Sequence, residues 1–136
     1  MTVALDTNVA IELLSGRNVV VRQQFMHVRD GRERPVISLI VLHELMYGVA
    51  RSSRPRERRS DVQLLLRDLV VEPLNEADVI ASAEVRARLA RQGLPIGPYD
   101  ALIGGQALNR GWTLATANLR EFSRVEGLQV VDWTKD

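Results

Sequence analysis

The sequence contains no cysteine, which excludes disulfides and thiolate metal sites. No stretch of about 18 consecutive apolar residues occurs, so no membrane span is expected. The opening Met1–Asp6 lacks a basic region and brings in an acid at once, so it is not read as a signal peptide. A cytoplasmic protein is expected. There is no glycine-rich phosphate loop, since Gly104-Gly105 lacks the required spacing and follows no strand. No nucleophile-elbow motif frames a serine. Internal repeats, linkers and low-complexity segments are also missing. Lysine is nearly absent, and Lys135 is its single representative.

What is present is an ordinary globular balance of 46% apolar and 26% charged residues over 136 positions, enough for one domain, 1–136, with its own core. The net charge is +1, yet seventeen of the eighteen basic residues are arginine. Arginine presents a planar fork that matches phosphate oxygens. A compositional bias of the genome accounts for the same excess, so it permits a nucleic-acid partner without demanding one. The cluster Arg51, Arg54, Arg56, Arg58 and Arg59 reads as a solvated loop and helix start, with contact to RNA or a protein as the less favoured reading.

Short apolar runs alternate with helical patterns. Thr2–Leu5 reads as a buried strand, and Asp6-Thr7-Asn8 supplies capping residues for a helix bearing Val9, Ala10, Leu13 and Leu14 on one face. Gly16 ends it. A second helix is expected over Val19–Arg29. Pro35–Ile37 reads as a strand, with Ser38 capping a helix that runs to Ala50 and carries a stripe of Leu42, Leu45, Met46 and Val49. Arg51–Arg59 reads as a loop. A helix from about Arg56 to Leu69 precedes the short strand Val70-Val71. Asn75 and Asp78 start a long helix that ends at Gly93. Pro98 opens a helix to Arg110, and Gly111 stops it. Trp112–Thr116 and Leu128–Val131 are the last strands. This alternation predicts a three-layer α/β/α domain around a mostly parallel sheet of four to five short strands.

Four acids stand at strand ends or helix starts: Asp6, Glu44, Asp100 and Glu121. Gathered in one pocket, they would give hard oxygen ligands for a divalent cation and so metal-assisted phosphodiester chemistry. Each also has a plain alternative. Asp6 could simply cap its helix. Glu44 could be an exposed acid on an amphipathic helix, about 200° from Leu42 at the helical repeat. Asp100 could serve the dipole of its own helix. Glu121 could sit in an ordinary helix start capped by Asn118. Two glycines, Gly48 and Gly104, follow Glu44 and Asp100 by one turn. They either leave room for a metal, water and phosphate or serve helix packing. His27 and His43 lack ligand spacing and are read as packing residues.

Taken in order, Leu5-Asp6-Thr7-Asn8, Ser38 with Glu44-Leu45 and Tyr47-Gly48, Pro95–Asp100, and Thr116 with Asn118 and Arg120-Glu121-Phe122 resemble the PIN-domain ribonucleases. More narrowly they are similar to the VapC toxins of VapBC toxin–antitoxin pairs. The closing Gly127-Leu128 and Asp132-Trp133 extend the likeness over essentially the whole chain. The resemblance implies a parallel sheet flanked by helices and cleavage of RNA dependent on Mg2+ or Mn2+. The RNA would be tRNA, with initiator tRNA among the candidates. It implies Asp6, Glu44 and Asp100 as site acids and metal ligands. Thr116, Asn118 and Glu121 match the segment that carries a fourth acid in relatives, and Thr7 and Asn8 support the site. Relatives commonly have two adjacent Asn where this chain has Ala117-Asn118, so metal ligation by Glu121 is the weakest transfer. A homodimer, a VapB-type antitoxin, a heterotetramer or hetero-octamer with it, and operator DNA bound through that complex are also implied.

Two other classes stay open on residues alone. One is a non-catalytic RNA- or protein-binding α/β domain using its arginine surface. The other is phosphoryl transfer through an aspartyl phosphate at Asp6, against which stand the missing acid two residues on and the lack of a lysine outside the tail.

Overall fold

The computed structural model describes residues 1–135. Along the chain run β1 (Val3–Leu5), α1 (Thr7–Ser15), α2 (Val19–Arg29), β2 (Val36–Ser38), α3 (Leu39–Arg51), α4 (Pro55–Leu66), β3 (Val70–Glu72), α5 (Glu76–Arg91), α6 (Pro98–Arg110), β4 (Thr113–Ala115), α7 (Leu119–Phe122) and β5 (Gln129–Val131). The strands form one sheet in the order β3-β2-β1-β4-β5. Every pairing is parallel: Ala4 faces Val36 on one side and Leu114 on the other, Val36 faces Val70, and Leu114 faces Val130.

The sheet follows from the composition of its strands. β2 and β4 are buried along their length and β1 nearly so, while β3 and β5 are partly exposed. Central parallel strands are covered on both faces, which suits short runs of Val, Ile, Leu and Ala. The helices flank this sheet as the predicted three-layer architecture requires. The chain builds outward from β1 to β2 and β3, then crosses back to lay β4 and β5 on the opposite side of β1. The order therefore reverses between β1 and β4, and ligand sites in open parallel sheets lie outside the strands' carboxyl ends at such a crevice.

Local signals set the helix ends. Asn18 accepts from the Val21 N–H and Ser38 from the Ile40 N–H, while Asn75 and Asp78 form a reciprocal capping box. Gly16 and Gly111 take the left-handed conformation that ends α1 and α6. Two expectations need correction. Arg51–Arg59 is not a loop, because Pro55 already occupies the first turn of α4, where its fixed φ suits a helix start. The connection shrinks to residues 52–54. On α3 the buried stripe is Val41, Leu45 and Val49, with Leu42 and Met46 only partly buried at its flank.

The closest packing is between α5 and α6. A Cβ added at Gly105 would lie 2.5 Å from the Cα of Ser82, so the glycine is what lets the two backbones touch. Asp78, fully buried, accepts from Asn109 Nδ2 at 2.9 Å and from both Nε and Nη2 of Arg110 at 3.0 and 2.8 Å. This ion pair joins the start of α5 to the end of α6, so Asp78 does more than help start its helix.

Candidate active site

Asp6 is the first residue beyond β1, and its N–H continues the ladder by donating to Ala115 O of β4 at 2.9 Å. Its side chain is 3% exposed and held from three directions. Oδ1 accepts the Thr7 N–H at 2.8 Å, and Oδ2 accepts Asn8 Nδ2 at 3.0 Å and Thr116 Oγ1 at 2.8 Å. Thr116 directly follows β4, so the Asp6–Thr116 bond spans the crevice where the strand order reverses. Asn8 strengthens the bridge by accepting the Ala117 N–H at 3.1 Å. Asp6 thus caps α1 and also faces the crevice, so its two alternatives hold together. Burial pushes its carboxyl above the ordinary value, opposed by Thr116 and Thr7 and reinforced by the charge of Glu44.

Glu44 leaves α3 toward the same rim, where Thr7 Oγ1 donates to its Oε1 at 2.7 Å. Thr7 therefore does more than start a helix: it fastens α1 to the acid of α3. Asn118 precedes α7 in the cap position, yet its side chain caps no backbone group. Instead Nδ2 donates to Glu121 Oε2 at 2.8 Å and fixes that carboxylate. Thr116 Oγ1 accepts the Asn118 N–H at 2.9 Å, so one hydroxyl links Asp6 to the segment bearing Glu121.

Asp100, in the first turn of α6, reports on all the others. Its carboxyl is pushed up to about 7, first by burial, then by the charges of Asp6, Glu121 and Glu44, and by hydrogen bonding with Glu121. Carboxylates at close range disfavour each other's ionisation, so the charges of Asp6, Glu121 and Glu44, each from a separate segment, add to the effect of burial on Asp100. The four acids do not form a ready-made cage, however. Among the described residues no three acidic or histidine side chains meet closely enough to hold an ion by themselves. Mg2+ keeps several of its waters and needs only one or two protein carboxylates, so the oxygen-only donor set fits a hydrated cation better than a fully enclosed one.

The two glycines behave differently. Nothing lies within 4 Å of a Cβ built at Gly48, whereas one at Gly104 would meet Cε1 of Phe122 at 3.3 Å. Gly48 thus leaves space beside Glu44, while Gly104 admits the Phe122 ring rather than opening the pocket. His43 packs edge-on against Tyr99, with ring centres 5.7 Å apart. His27 lies on exposed α2 surface.

The family model described as "PIN domain" matches residues 3–128. The chain is 37% identical over 129 residues to a Salmonella typhimurium protein named tRNA(fMet)-specific endonuclease VapC, covering 95% of this chain and 96% of the relative. Its fold is similar to that in the crystal structure of DNA-bound VapBC from Salmonella typhimurium, with a TM-score of 0.90, 36% identity and 98% of each chain covered. It is similar as well to VapBC2 from Rickettsia felis bound to a promoter DNA fragment, with a TM-score of 0.92, 28% identity, and 98% of this chain and 99% of the other covered. No helix among the described residues is long and apolar enough to cross a membrane. An acid set at the sheet's switch point, a matching family model and full-length relatives agree: the chain belongs to the PIN-domain family, on its VapC ribonuclease branch.

Proposed function

We propose that residues 1–136 form one nuclease domain that cleaves RNA with the help of Mg2+ or Mn2+, and that its substrate is tRNA. The observation that carries this reading is the convergence of acids on Asp100, whose carboxyl stands at about 7 through its burial and the added charges of Asp6, Glu121 and Glu44. Such a site binds a cation to relieve its own repulsion. The tRNA assignment is supported by the printed name of the Salmonella typhimurium relative, which makes initiator tRNA the first substrate to try.

Asp6 and Asp100 are the principal ligands, with Glu44 and Glu121 acting directly or through water. The chemistry supplied by the bound cation is Lewis-acid stabilisation of a phosphoryl oxygen and a lowered pKa for an attacking water. The remaining work belongs to the protein. Thr116 and Asn8 hold Asp6 Oδ2 in place, while Oδ1 has only the Thr7 N–H, which leaves it a lone pair. Asp100 would hold a cation through its deprotonated carboxylate. Asn118 keeps Glu121 pointed as an acceptor for water, and Thr7 keeps Glu44 at the rim. Arginines must offset the repulsion between these acids and RNA phosphates.

The same reading supplies the partners. Relatives crystallised as VapBC complexes, some with DNA, support a VapB-type antitoxin as partner. They support operator DNA bound through the joint complex. A toxin homodimer, assembled with antitoxin into a heterotetramer or hetero-octamer, completes the proposal, and its place of action is the cytoplasm. The test is cleavage of a tRNA panel by purified protein with and without Mg2+, beside Asp6→Asn and Asp100→Asn. Both variants are expected to fold and to lose cleavage, and full activity in either would sink the site assignment. Mapping new RNA 5′ ends after induction, with Asp6→Asn as control, identifies the target. RNA binding without any cation-dependent cleavage would return the non-catalytic reading.

A further inference from the structure

We propose that the exposed face of α3 next to the acids is a stacking platform for unpaired bases of the RNA, built from Tyr99, His43 and Tyr47, with Arg51 receiving the adjoining phosphate. The proposal rests on the nuclease reading above and names how that site would grip a single strand.

His43, Tyr47 and Arg51 recur every four residues, so they form one row on the helix surface. The row begins beside Glu44 and ends at the last residue of α3. Tyr99 of α6 meets its first member edge-on, with ring centres 5.7 Å apart and planes at 76°, and Tyr99 itself immediately precedes Asp100. Arg51 lies over the Tyr47 ring at 5.6 Å.

The exposure of these rings is what calls for a partner. Phe25, Phe122 and Trp133 are buried, and Trp112 is partly buried beneath Arg110. Of the phenylalanine, tryptophan and tyrosine rings among the described residues, the two tyrosines are the exposed ones, at 60% for Tyr47 and 47% for Tyr99. Both stand within three residues of a site acid. Large rings left in water at a binding site are the usual means of capturing unpaired bases, because every base offers a π-face. A second feature points the same way. Glu44 and Gly48 line a cleft of about 390 Å³ that also takes in Arg17, Arg51 and Arg58. Arg58 is engaged with Asp61 at 3.6 Å, whereas neither Arg17 nor Arg51 is in an ion pair among the described residues. Unpaired guanidinium groups running away from an acid site suit a phosphate chain, which the acids alone would repel.

The experiment measures equilibrium binding of a single-stranded oligoribonucleotide carrying 2-aminopurine, using full-length protein in an Asp6→Asn background so that no cleavage intervenes. Cleavage by the wild-type protein is scored separately and tests the nuclease reading on its own. Tyr47→Ala and Tyr99→Ala should each weaken binding by about tenfold, the size of one lost stacking contact, and should restore the fluorescence of the bound base. Tyr47→Phe, which keeps the ring, should keep the affinity. Arg51→Ala should reduce the slope of log affinity against log salt by about one phosphate contact. A duplex of the same sequence should bind less tightly than the single strand. Alanine variants that bind like their parent would overturn the proposal. So would a loss of binding that tracks dissociation of a dimer in sedimentation, since the row would then be a self-association surface.

Discussion

Asp100 and Asp78 sit on neighbouring helices, and their carboxyls move in opposite directions. Asp100 is raised from 3.8 to about 7 by burial and by the acids facing it. Between those two values the folded protein holds a proton that the unfolded chain has released, so this group's contribution to stability falls as pH rises through the window. Asp100→Asn should therefore raise the melting temperature of the cation-free protein strongly at about pH 8 and gain little at about pH 4. A gain of equal size at both values would contradict the crowding of acids. Asp78 is the reverse case. Burial raises its carboxyl but is outweighed by hydrogen bonds from Arg110, Asn75 and Asn109, and the net shift is downward. Its stabilisation is complete above the ordinary value and is lost as pH falls through the lowered one. Asp78→Ala breaks a buried pair and should cost about 3 kcal/mol in urea denaturation, with no change in cation affinity.

At the scale of the element, glycines in similar helical settings do different work. Gly105 lets α5 and α6 touch, and Gly105→Ala must push Ser82 away, with an expected loss of about 1–3 kcal/mol from overpacking. Gly48 has open space around it and ordinary helical backbone. Gly48→Ala should therefore stabilise α3 by about 0.5–1 kcal/mol through helix propensity. Denaturation midpoints at unchanged slope would check both. The sequence shows two helical glycines each one turn after an acid, and only their neighbours separate them: Phe122 fills the space beside Gly104, and nothing fills that beside Gly48.

At the scale of the whole molecule, the site is a property of the sheet order. β1 and β4 are far apart in sequence and adjacent in space, so Asp6 and Thr116 meet across the crevice where the order reverses. A cation that binds only this assembled state must stabilise the fold. Mg2+ or Mn2+ at a hundred times its dissociation constant should add about 2.7 kcal/mol of stability. The increment should grow as pH rises and protons cease to compete at Asp100, and it should vanish in Asp6→Asn. Thermal melts with and without the ion measure all three.

Much of this protein is determined locally, and those parts are legible without coordinates. Ser38, Asn75, Pro98, Gly16 and Gly111 mark helix ends because capping, fixed φ and left-handed backbone act within a few residues. Runs such as Val3–Leu5 and Val36–Ile37 read as buried strands because a parallel sheet covers both faces. Asp6, Asp100 and Glu121 and their supporting Thr7, Asn8, Thr116 and Asn118 could be named for the same reason, lying at strand ends or helix starts, whereas Glu44, in the middle of α3, stands out only by its place off the apolar stripe. What no local rule supplies is who meets whom. The Thr7–Glu44 and Thr116–Asp6 bonds, the Asp78–Arg110 pair and the rise of Asp100 through its neighbours' charges join segments tens of residues apart or more. Electrostatic and packing energies depend on distances that exist only once the chain has folded. The sequence by itself determined the elements and the chemical kinds of the site residues, and the tertiary structure decided their partners and their charge.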